Sequence, residues 1–437
     1  MKFIKFYDFK NNCTFIVPDF VKNIFEANKF YIRTNNKLKK KIIIFFLHNS
    51  LLRKFKLLIN ILLNSKIIFE EPKKKKIIIF DKYSELVIKK IIKPRSFFTL
   101  VTRPNHFRNI YISKKIIFYL IVNFFKQSIK VNYLTILIKI LDPKIIVTLI
   151  DQSLDFYIIA KIFKNNNISF IAIQNAFRDQ FYLKDLFIHN DYSQKYYSFG
   201  EHEIKNIKRY SKVNPTLKSI GSARAAVANE YLKNKNFNFN PKIDICLVSE
   251  LSFERDKVTE KELKSHLIRI LKLANYCKKF SIKNNKKIVI LGRYSEPLDG
   301  HTKESIFLKK IEEIFYKPFL KAEHLYLKFP NKSKFENFNI IKNSNLILGT
   351  SSTMLLESFA FKKKFLICEW GNVKQSKIKV EGICKLKLED YSHFESRILN
   401  LLKINYTDFK SKNKKMSLIH NTNIDTLKFL RKEFSNK

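Results

Sequence analysis

The sequence predicts two consecutive α/β domains, each a mostly parallel sheet covered by helices on both faces. Short runs of β-branched and aromatic residues recur along the chain, and each is followed by a longer amphipathic stretch, as expected for alternating strands and helices. The runs are apolar throughout, which is typical of strands that are buried on both faces. Four of the seven glycines in the 437 residues directly follow such runs, where a parallel strand would end and turn towards a helix.

The first domain is predicted to span residues 1–225. Its strands are expected in seven segments, which read KKIIIFFL, KKKIIIFD, SFFTLVTR, KIIVTLID, ISFIAIQN, KYYSFG and LKSIGS in chain order. Residues 226–241 pass from a helical run into a polar Asn- and Lys-rich segment that ends at Pro241, so they are the predicted linker.

The second domain is predicted to span residues 242–395. Its strands are expected in the segments KIDICLVSE, KKIVILGRYS, HLYLKFP, SNLILGTSS and KKFLICEWGN, with helix-length stretches between them. Residues 396–437 are predicted to form a helical segment that returns to the first domain. In open α/β sheets a ligand binds beyond the carboxyl ends of the strands, so the turns at Gly200, Gly221, Gly292 and Gly349 are where a site is expected.

The chain is strongly basic, with 84 Lys and Arg against 38 Asp and Glu and a net charge of +46. Such a charge suits a nucleic acid or an anionic membrane surface. The excess of Lys, Ile, Asn and Phe is also what AT-rich coding produces without any polyanionic partner. No aromatic-interleaved nucleic-acid motif or Cys/His finger spacing occurs, so nucleic acid is the disfavoured partner and an anionic membrane surface the favoured one.

The five cysteines are scattered and never in Cys-x-x-Cys spacing, which indicates neither a disulfide framework nor a zinc site and fits a reducing cytosol. The first residues interrupt every short apolar run with Lys or Asp, unlike a signal peptide. The most apolar window, 116–125, is about half the length that spans a bilayer. A cytoplasmic protein is expected, peripheral on the inner face of the cell membrane.

The most informative motif is a cluster of hydroxyl residues behind a rare glycine. The residues 346–348 predict a strand, Gly349 the turn, and a helix follows from Met354. Between them lie the four hydroxyl residues Thr350, Ser351, Ser352 and Thr353. Free backbone N–H groups beside hydroxyls suit a phosphate oxygen, whereas one of the hydroxyls is expected to act as an ordinary N-cap. Walker, nucleophile-elbow, HExxH and GxGxxG motifs do not occur, which disfavours those chemistries.

The segment SSTMLLESFAFKKKFLI resembles the donor-nucleotide site of GT-B glycosyltransferases. More narrowly, it resembles bacterial surface-carbohydrate proteins of capsule and O-antigen synthesis and their relatives among CMP-sugar and CDP-glycerol-type transferases. FIAIQNAFRDQ, YYSFGEHEIKNIKRY and LKSIGSAR resemble the same group, so the likeness covers roughly residues 140–372. The resemblance implies two Rossmann-like domains with an interdomain cleft.

The resemblance also implies roles for single residues. Ser351, Ser352 and Thr353 would contact the donor phosphate, and Glu357 would bind the ribose. LYLKFPNKS matches a Lys-x-His-Pro strand end of the family at Lys328 and Pro330, with Phe329 in place of the histidine. Lys362, Lys363 and Lys364 stand where relatives often read Gly-Lys-Pro.

The donor site is therefore predicted to comprise Gly292, Arg293, Lys328, Pro330, Gly349, Thr350, Ser351, Ser352, Thr353 and Glu357. Arg293 follows directly on Gly292 at a strand end, where its charge would stabilise a departing phosphate; the alternative is a surface charge. A metal-binding Asp-x-Asp loop is absent, so no metal is expected.

The catalytic base is predicted to be Asp151, which ends a strand; the alternative role for this residue is a helix N-cap. Glu250 is the second choice and His106 the third. Gln174 and Asn175 suit hydrogen bonding to sugar hydroxyls, and Gly221 and Ser222 complete the predicted acceptor side.

The function that the resemblance implies is that of a glycosyltransferase, and it is expected to need no metal or cofactor. Its donor would be a nucleotide sugar, CMP- or CDP-linked, and its acceptor a surface polysaccharide or a lipid-linked glycan. A CDP-glycerol-type polyol-phosphate transferase is the alternative of the same class. A basic nucleic-acid-binding protein and a non-catalytic scaffold are the alternatives from other classes.

Overall fold

A computed structural model describes most of the chain. It covers residues 2–8, 13–26, 31–33, 59, 63, 65–92, 97–102, 108–178, 194–210, 215–234, 243–252, 259–294, 303–320, 323–370, 378 and 380–435. The chain forms two compact units. The first unit contains Asn60–Phe237 and Lys415–Lys437, and the second unit contains Met1–Ile59 and Asn238–Lys414.

The N-terminal residues form a small antiparallel sheet in the second unit, in the strand order β2-β1-β3. Its elements are β1 (Phe3–Asp8), β2 (Cys13–Pro18), α1 (Lys22–Glu26) and β3 (Tyr31–Arg33). The rings of Phe20 and Phe25 lie 6.0 Å from Phe315 and 5.3 Å from Phe307, both on the helix Lys303–Tyr316. The predicted boundaries put these residues in the first domain; the aromatic contacts explain why they belong to the second unit instead.

The first unit is built on a six-stranded parallel sheet, in the order β11-β10-β9-β8-β5-β6. The strands of this unit are β4 (Ser65–Ile68), β5 (Ile77–Phe80), β6 (Phe97–Leu100), β7 (Arg108–Tyr111), β8 (Ile145–Thr148), β9 (Ser169–Ile173), β10 (Lys195–Ser198) and β11 (Thr216–Ser219). The strands β4 and β7 form a separate parallel pair that the sequence did not predict. The predicted strand KKIIIFFL lies outside the described residues.

Helices cover this sheet and supply most of its core. They are α2 (Lys82–Ile91), α3 (Lys114–Val122), α4 (Ile129–Leu141), α5 (Leu154–Ile162), α6 (Glu201–Tyr210) and α7 (Ala223–Asn234). Strands β5, β8 and β9 are buried at every position, as their continuous apolar sequence predicts. Helix α7 extends into the predicted linker, of which residues 235–241 lie outside the described part.

The second unit contains another six-stranded parallel sheet, in the order β14-β13-β12-β15-β16-β18. The strands that follow the first unit are β12 (Ile243–Val248), β13 (Ile288–Leu291), β14 (Leu325–Lys328), β15 (Ser344–Gly349), β16 (Lys364–Cys368), β17 (Glu381–Gly382), β18 (Lys385–Leu386) and β19 (Asn413–Lys414). The strand order reverses between β12 and β15, which is the point where such sheets bind ligands.

The helices of the second unit are α8 (Glu260–Asn284), α9 (Lys303–Tyr316), α10 (Glu336–Lys342), α11 (Thr353–Glu357), α12 (Tyr391–Lys403) and α13 (Tyr406–Ser411). The long helix α8 begins at a capping box, in which the Thr259 hydroxyl accepts from the Glu262 N–H and the Glu262 carboxylate accepts from the Thr259 N–H. Two orphan N–H groups are thereby satisfied at the start of this 25-residue helix.

The last residues, with α14 (Met416–Ile419) and α15 (Thr426–Ser435), belong to the first unit. They lie against two of its rare glycines. A Cβ at Gly200 would come within 2.6 Å of the Ile419 carbonyl carbon, and one at Gly221 within 2.9 Å of the Asn421 oxygen. The Asn421 N–H donates to the Phe199 carbonyl at 2.7 Å. These two glycines are therefore required for the docking of the C-terminal segment.

Across the described residues, none of the helices is both long enough and apolar enough to cross a lipid bilayer.

Candidate functional site

The carboxylate of Glu250 lies inside the predicted phosphate loop. Glu250 follows β12 by two residues, and the loop 350–352 follows β15, the neighbouring strand in the sheet. The backbone N–H groups of Thr350, Ser351 and Ser352 donate to this carboxylate at 2.7, 2.8 and 2.9 Å. The hydroxyls of Thr350 and Ser351 donate to it at 2.8 and 2.6 Å.

Five donors thus converge on one anionic group, and we call residues 350–352 the anion cradle. Successive backbone N–H groups in a turn form a concavity that suits a phosphate as well as a carboxylate. Hydrogen bonds to an ionised acceptor are about twice as strong as neutral ones. The loop therefore binds an anionic side chain, the carboxylate of Glu250, and its binding of a phosphate stays a prediction.

Gly349 has a steric reason to be glycine. A Cβ at this position would lie 3.1 Å from Glu250 Oε1 and 3.3 Å from a methyl carbon of Leu355. Such contacts are tight, so a side chain at residue 349 would push an occupant of the cradle away from the loop.

The residues that follow the cradle differ in their contacts. The Ser352 hydroxyl accepts from the Met354 N–H at 3.2 Å and caps α11, which is the ordinary role expected for one of the hydroxyls. Thr353 begins the helix and is partly buried. Glu357 is fully buried at 0% exposure, so its carboxylate does not face solvent in this structure. Its ribose role stays a prediction.

Arg293 and Gly292 lie at the end of β13, beside a buried acid that the sequence prediction missed. The Glu312 carboxylate is 0% exposed and accepts from the N–H groups of Arg293 at 3.0 Å and Tyr294 at 2.9 Å. It also accepts from the Ser249 hydroxyl, and burial raises its pKa above the usual value. The Arg293 guanidinium donates to the Leu251 carbonyl at 2.9 Å, and the side chain remains exposed.

Gly292 explains why an aromatic residue is accommodated at position 329. A Cβ at residue 292 would lie 2.5 Å from a ring carbon of Phe329, closer than two carbons can approach. The ring therefore lies directly on the glycine backbone. Of the neighbouring predicted residues, Lys328 is partly buried at the end of β14 and Pro330 is buried.

Asp151 in the first unit belongs to a buried ion pair. Its side chain is fully buried, and its two oxygens accept from Arg178 Nε at 3.0 Å and Arg178 Nη2 at 2.5 Å. The Tyr196 hydroxyl donates to it at 3.0 Å. The N-cap of α5 is Ser153 rather than Asp151, so the alternative role is wrong. As a base, Asp151 would have to leave this ion pair.

Gln174 organises a second buried group in the first unit. Its amide oxygen accepts from the Phe199 N–H at 2.6 Å, and its Nε2 donates to the Glu203 carboxylate at 2.7 Å. The Asn175 amide oxygen is buried and has no hydrogen-bond partner in the described part of the chain. Burial raises the pKa of Glu203 to about 8, and the nearby charge of Asp151 contributes in the same direction. The sequence prediction did not identify Glu203.

Gly221 and Ser222 do not form an open acceptor surface within the first unit. Gly221 has a φ of +79°, which favours glycine, and both residues contact the C-terminal segment. The Ser222 N–H donates to His420 Nε2 at 3.2 Å, and the Ser222 hydroxyl accepts from the Ala225 N–H at 3.1 Å. This turn has a structural role in docking the last residues, and its acceptor role stays a prediction.

The raised pKa of Glu203 predicts a pH-dependent stability. The ordinary pKa of a glutamate is 4.5. Between this pH and about 8, Glu203 keeps its proton in the folded protein, whereas it releases the proton in the unfolded chain. The free energy of unfolding should therefore fall as the pH rises through this window, and Glu203→Gln should remove that part of the decrease. Denaturant unfolding at pH 5 and pH 8 measures both slopes. Glu201→Gln, at an exposed position on the same helix, is the control; equal slopes for wild type and Glu203→Gln would contradict the prediction.

The remaining predictions concern His106 and metal binding. His106 lies outside the described residues. Within the ranges that the structure describes, no group of three or more His, Cys, Asp or Glu side chains is arranged to hold a metal ion.

The chain is similar in structure to solved UDP-GlcNAc 2-epimerases and to a glycosyltransferase. It is similar to UDP-GlcNAc 2-epimerase from Neisseria meningitidis bound to UDP-GlcNAc, with 11% identity, a TM-score of 0.50, and coverage of 84% of this chain and 100% of that chain. It is also similar to another UDP-N-acetylglucosamine 2-epimerase, with 13% identity, a TM-score of 0.50, and coverage of 83% and 95%. A glycosyltransferase from Rickettsia africae has 11% identity, a TM-score of 0.43, and coverage of 84% and 100%.

No protein-family model matches the chain, and no curated protein matches it in sequence. At identities of 11% and 13%, the similarities to the two epimerases show a shared fold. The predicted fold class of two Rossmann-like, doubly wound domains is confirmed by these similarities and by the two parallel sheets.

Proposed function

We propose that the protein is a glycosyltransferase that uses a nucleotide-activated sugar and transfers the sugar to a surface polysaccharide or a lipid-linked acceptor. The observation that supports binding of a nucleotide sugar is the anion cradle, which directs three backbone N–H groups and two hydroxyls at one point. It lies where the strand order of the second sheet reverses, which is where doubly wound sheets bind nucleotides.

In the proposed reaction the donor phosphate takes the place of the Glu250 carboxylate in the cradle. The two anions compete, because one set of N–H donors cannot serve both. The displaced carboxylate then becomes a free base at the edge of the donor site, where it accepts the proton of the acceptor hydroxyl. The exposed guanidinium of Arg293 and the ammonium of Lys328, both at strand ends of the same sheet, supply positive charge for the departing nucleotide.

A nucleotide-sugar 2-epimerase is the second candidate. Solved structures with a TM-score of 0.50 include two that are named as UDP-GlcNAc 2-epimerases, and one of these is bound to UDP-GlcNAc. Such an enzyme would use the same cradle for a phosphate of its nucleotide-sugar substrate, so the cradle favours neither candidate over the other. The two differ in their products, because an epimerase needs no acceptor.

The test is to incubate the full chain with UDP-, CMP- and CDP-linked sugars, with and without glycan or lipid-linked acceptors. Nuclear magnetic resonance of the sugar and chromatography of the released nucleotide identify the products. We expect one nucleotide to be released only when an acceptor is present, and Ser351→Ala to lower that rate at least about tenfold. Ser392→Ala, at an exposed serine of α12, is the control.

Formation of an epimerised sugar in the absence of acceptor, whether it stays attached to the nucleotide or is released from it, would favour the epimerase. Calorimetric titrations without any nucleotide binding would contradict both candidates.

A further inference from the structure

Helix α3, the turn after it and the first residue of α4 expose large apolar side chains. The exposed fractions of Phe118, Ile121 and Phe125 are 69%, 69% and 98%. The other exposed apolar members of this set are Ile117, Val122, Phe124 and Ile129. We call these seven residues the α3 patch. A contiguous exposed apolar surface on a folded protein marks a docking site for a partner or a membrane.

The way α3 packs explains why the patch faces outward. The helix contacts α4, and its only fully buried apolar residue is Ile116. Tyr119 and Leu120 lie partly buried on the core of the first unit, which leaves the opposite face exposed. A surface helix normally carries polar residues on that face, whereas α3 carries Ile, Phe and Val. The apolar face is therefore not needed for the packing of this helix.

The charges around the patch indicate what binds there. Exposed Lys114 and Lys115 precede the patch in sequence, and exposed Lys126 lies within it. Residues 114–141 contain no acidic residue, although Glu71 accepts from the Ser113 hydroxyl at the edge of the patch. A second copy of this chain would bring the same lysines together, and the net charge of +46 opposes that contact.

We infer that the α3 patch docks on an anionic lipid bilayer, with the phenylalanine and isoleucine side chains in the acyl boundary and the lysines at the headgroups. An apolar face flanked by lysines is the pattern of helices that lie in the membrane interface. Nine residues of α3 are about 14 Å long, against roughly 30 Å for the hydrocarbon core. The helix therefore lies on the bilayer and does not cross it. This inference is independent of the proposed activity.

The experiment is flotation of the full chain with vesicles of phosphatidylglycerol and phosphatidylcholine in equal amounts, and with vesicles of phosphatidylcholine alone. Wild type should float with the mixed vesicles, and the variant F118S/I121S/F125S should bind them at least about tenfold more weakly. The control Ile282→Ser removes an isoleucine that is 62% exposed on α8 and should bind as wild type does. Thermal unfolding checks that each variant is folded.

A charge-reversal pair separates the patch from the overall charge. K114E/K115E should weaken binding, whereas K410E/K412E, which changes the net charge equally at exposed positions of the second unit, should leave it nearly unchanged. Equal weakening by both pairs would overturn the inference, as would wild-type binding by F118S/I121S/F125S. Sedimentation provides the last check. If wild type is a dimer and the triple variant is a monomer that still binds vesicles, the patch serves self-association and the inference of lipid binding is overturned.

Discussion

Glu250→Ala is expected to bind a nucleotide about ten- to a hundredfold more tightly than wild type. In the wild-type protein, the Glu250 carboxylate holds the three N–H groups and two hydroxyls of the anion cradle, and a donor phosphate must displace it. A hydrogen bond to a charged group contributes about 1.5–3 kcal/mol, which corresponds to this range of affinity. Calorimetric titration with UDP, CMP and CDP measures the change.

The same variant should lose turnover even though it binds better. If the displaced carboxylate is the base, its removal lowers kcat by about 10²–10⁴-fold while the KM for the donor falls. Glu313→Ala, at an exposed glutamate on α9, is the control for a change in charge and should leave both constants unchanged. Weaker nucleotide binding by Glu250→Ala would mean that the glutamate shapes the cradle for the ligand instead of competing with it. The unfolding temperature shows whether the empty loop has lost its structure.

Arg178→Met is expected to destabilise the protein by about 3–5 kcal/mol. The substitution keeps the apolar length of the side chain but leaves the fully buried Asp151 carboxylate without its two guanidinium donors. An unpaired buried charge is far more costly than no charge at all. The double variant D151N/R178M should therefore recover most of the loss, since neither member of the pair is then charged.

Wild type, R178M, D151N and D151N/R178M form a double-mutant cycle. Urea unfolding of these four proteins, followed by circular dichroism, measures the coupling free energy between Asp151 and Arg178. Arg209→Met, at an exposed arginine on α6, is the matched control and should lie within about 0.5 kcal/mol of wild type. Additive effects of the two single substitutions would show that Asp151 and Arg178 do not act as a pair. A folded Arg178→Met variant that keeps its stability but loses activity would instead favour the predicted catalytic role of Asp151.

The strands of both large sheets could be predicted because their signal is local. Segments such as IIIF at 77–80 and IVIL at 288–291 are apolar at every position, and both are fully buried strands. The N-terminal sheet was harder to assign, because Lys5 interrupts the apolar residues of FIKFYD in β1. Aromatic contacts such as that of Phe25 with Phe307 place this sheet in the second unit. The two residues lie far apart in sequence, so no local pattern predicts the contact.

The candidate site was predictable in its parts and not in its arrangement. Glu250 and the hydroxyls at 350–352 were each identified, but their contact joins residues about 100 positions apart and depends on β12 and β15 being neighbours. Glu312 had a detectable signal. It lies on the helix face formed by Leu308, Ile311 and Phe315, where an acid must be buried. A charged residue on the apolar face of a predicted helix is therefore worth marking as a candidate.

The N-terminal residues belong to the second unit and the C-terminal residues to the first unit, and this has a consequence for biosynthesis. The second unit contains residues 1–59. Residues 60–237 of the first unit are synthesised before the large sheet of the second unit begins at β12. The first unit in turn lacks its closing residues until the C-terminal segment that lies against Gly200 and Gly221 has left the ribosome. In each unit, the segment that carries the large sheet lacks residues that the folded unit contains. Full folding of the first unit consequently requires residues that are made after both large sheets, and cutting the chain between the two sheets would leave each half without a native element.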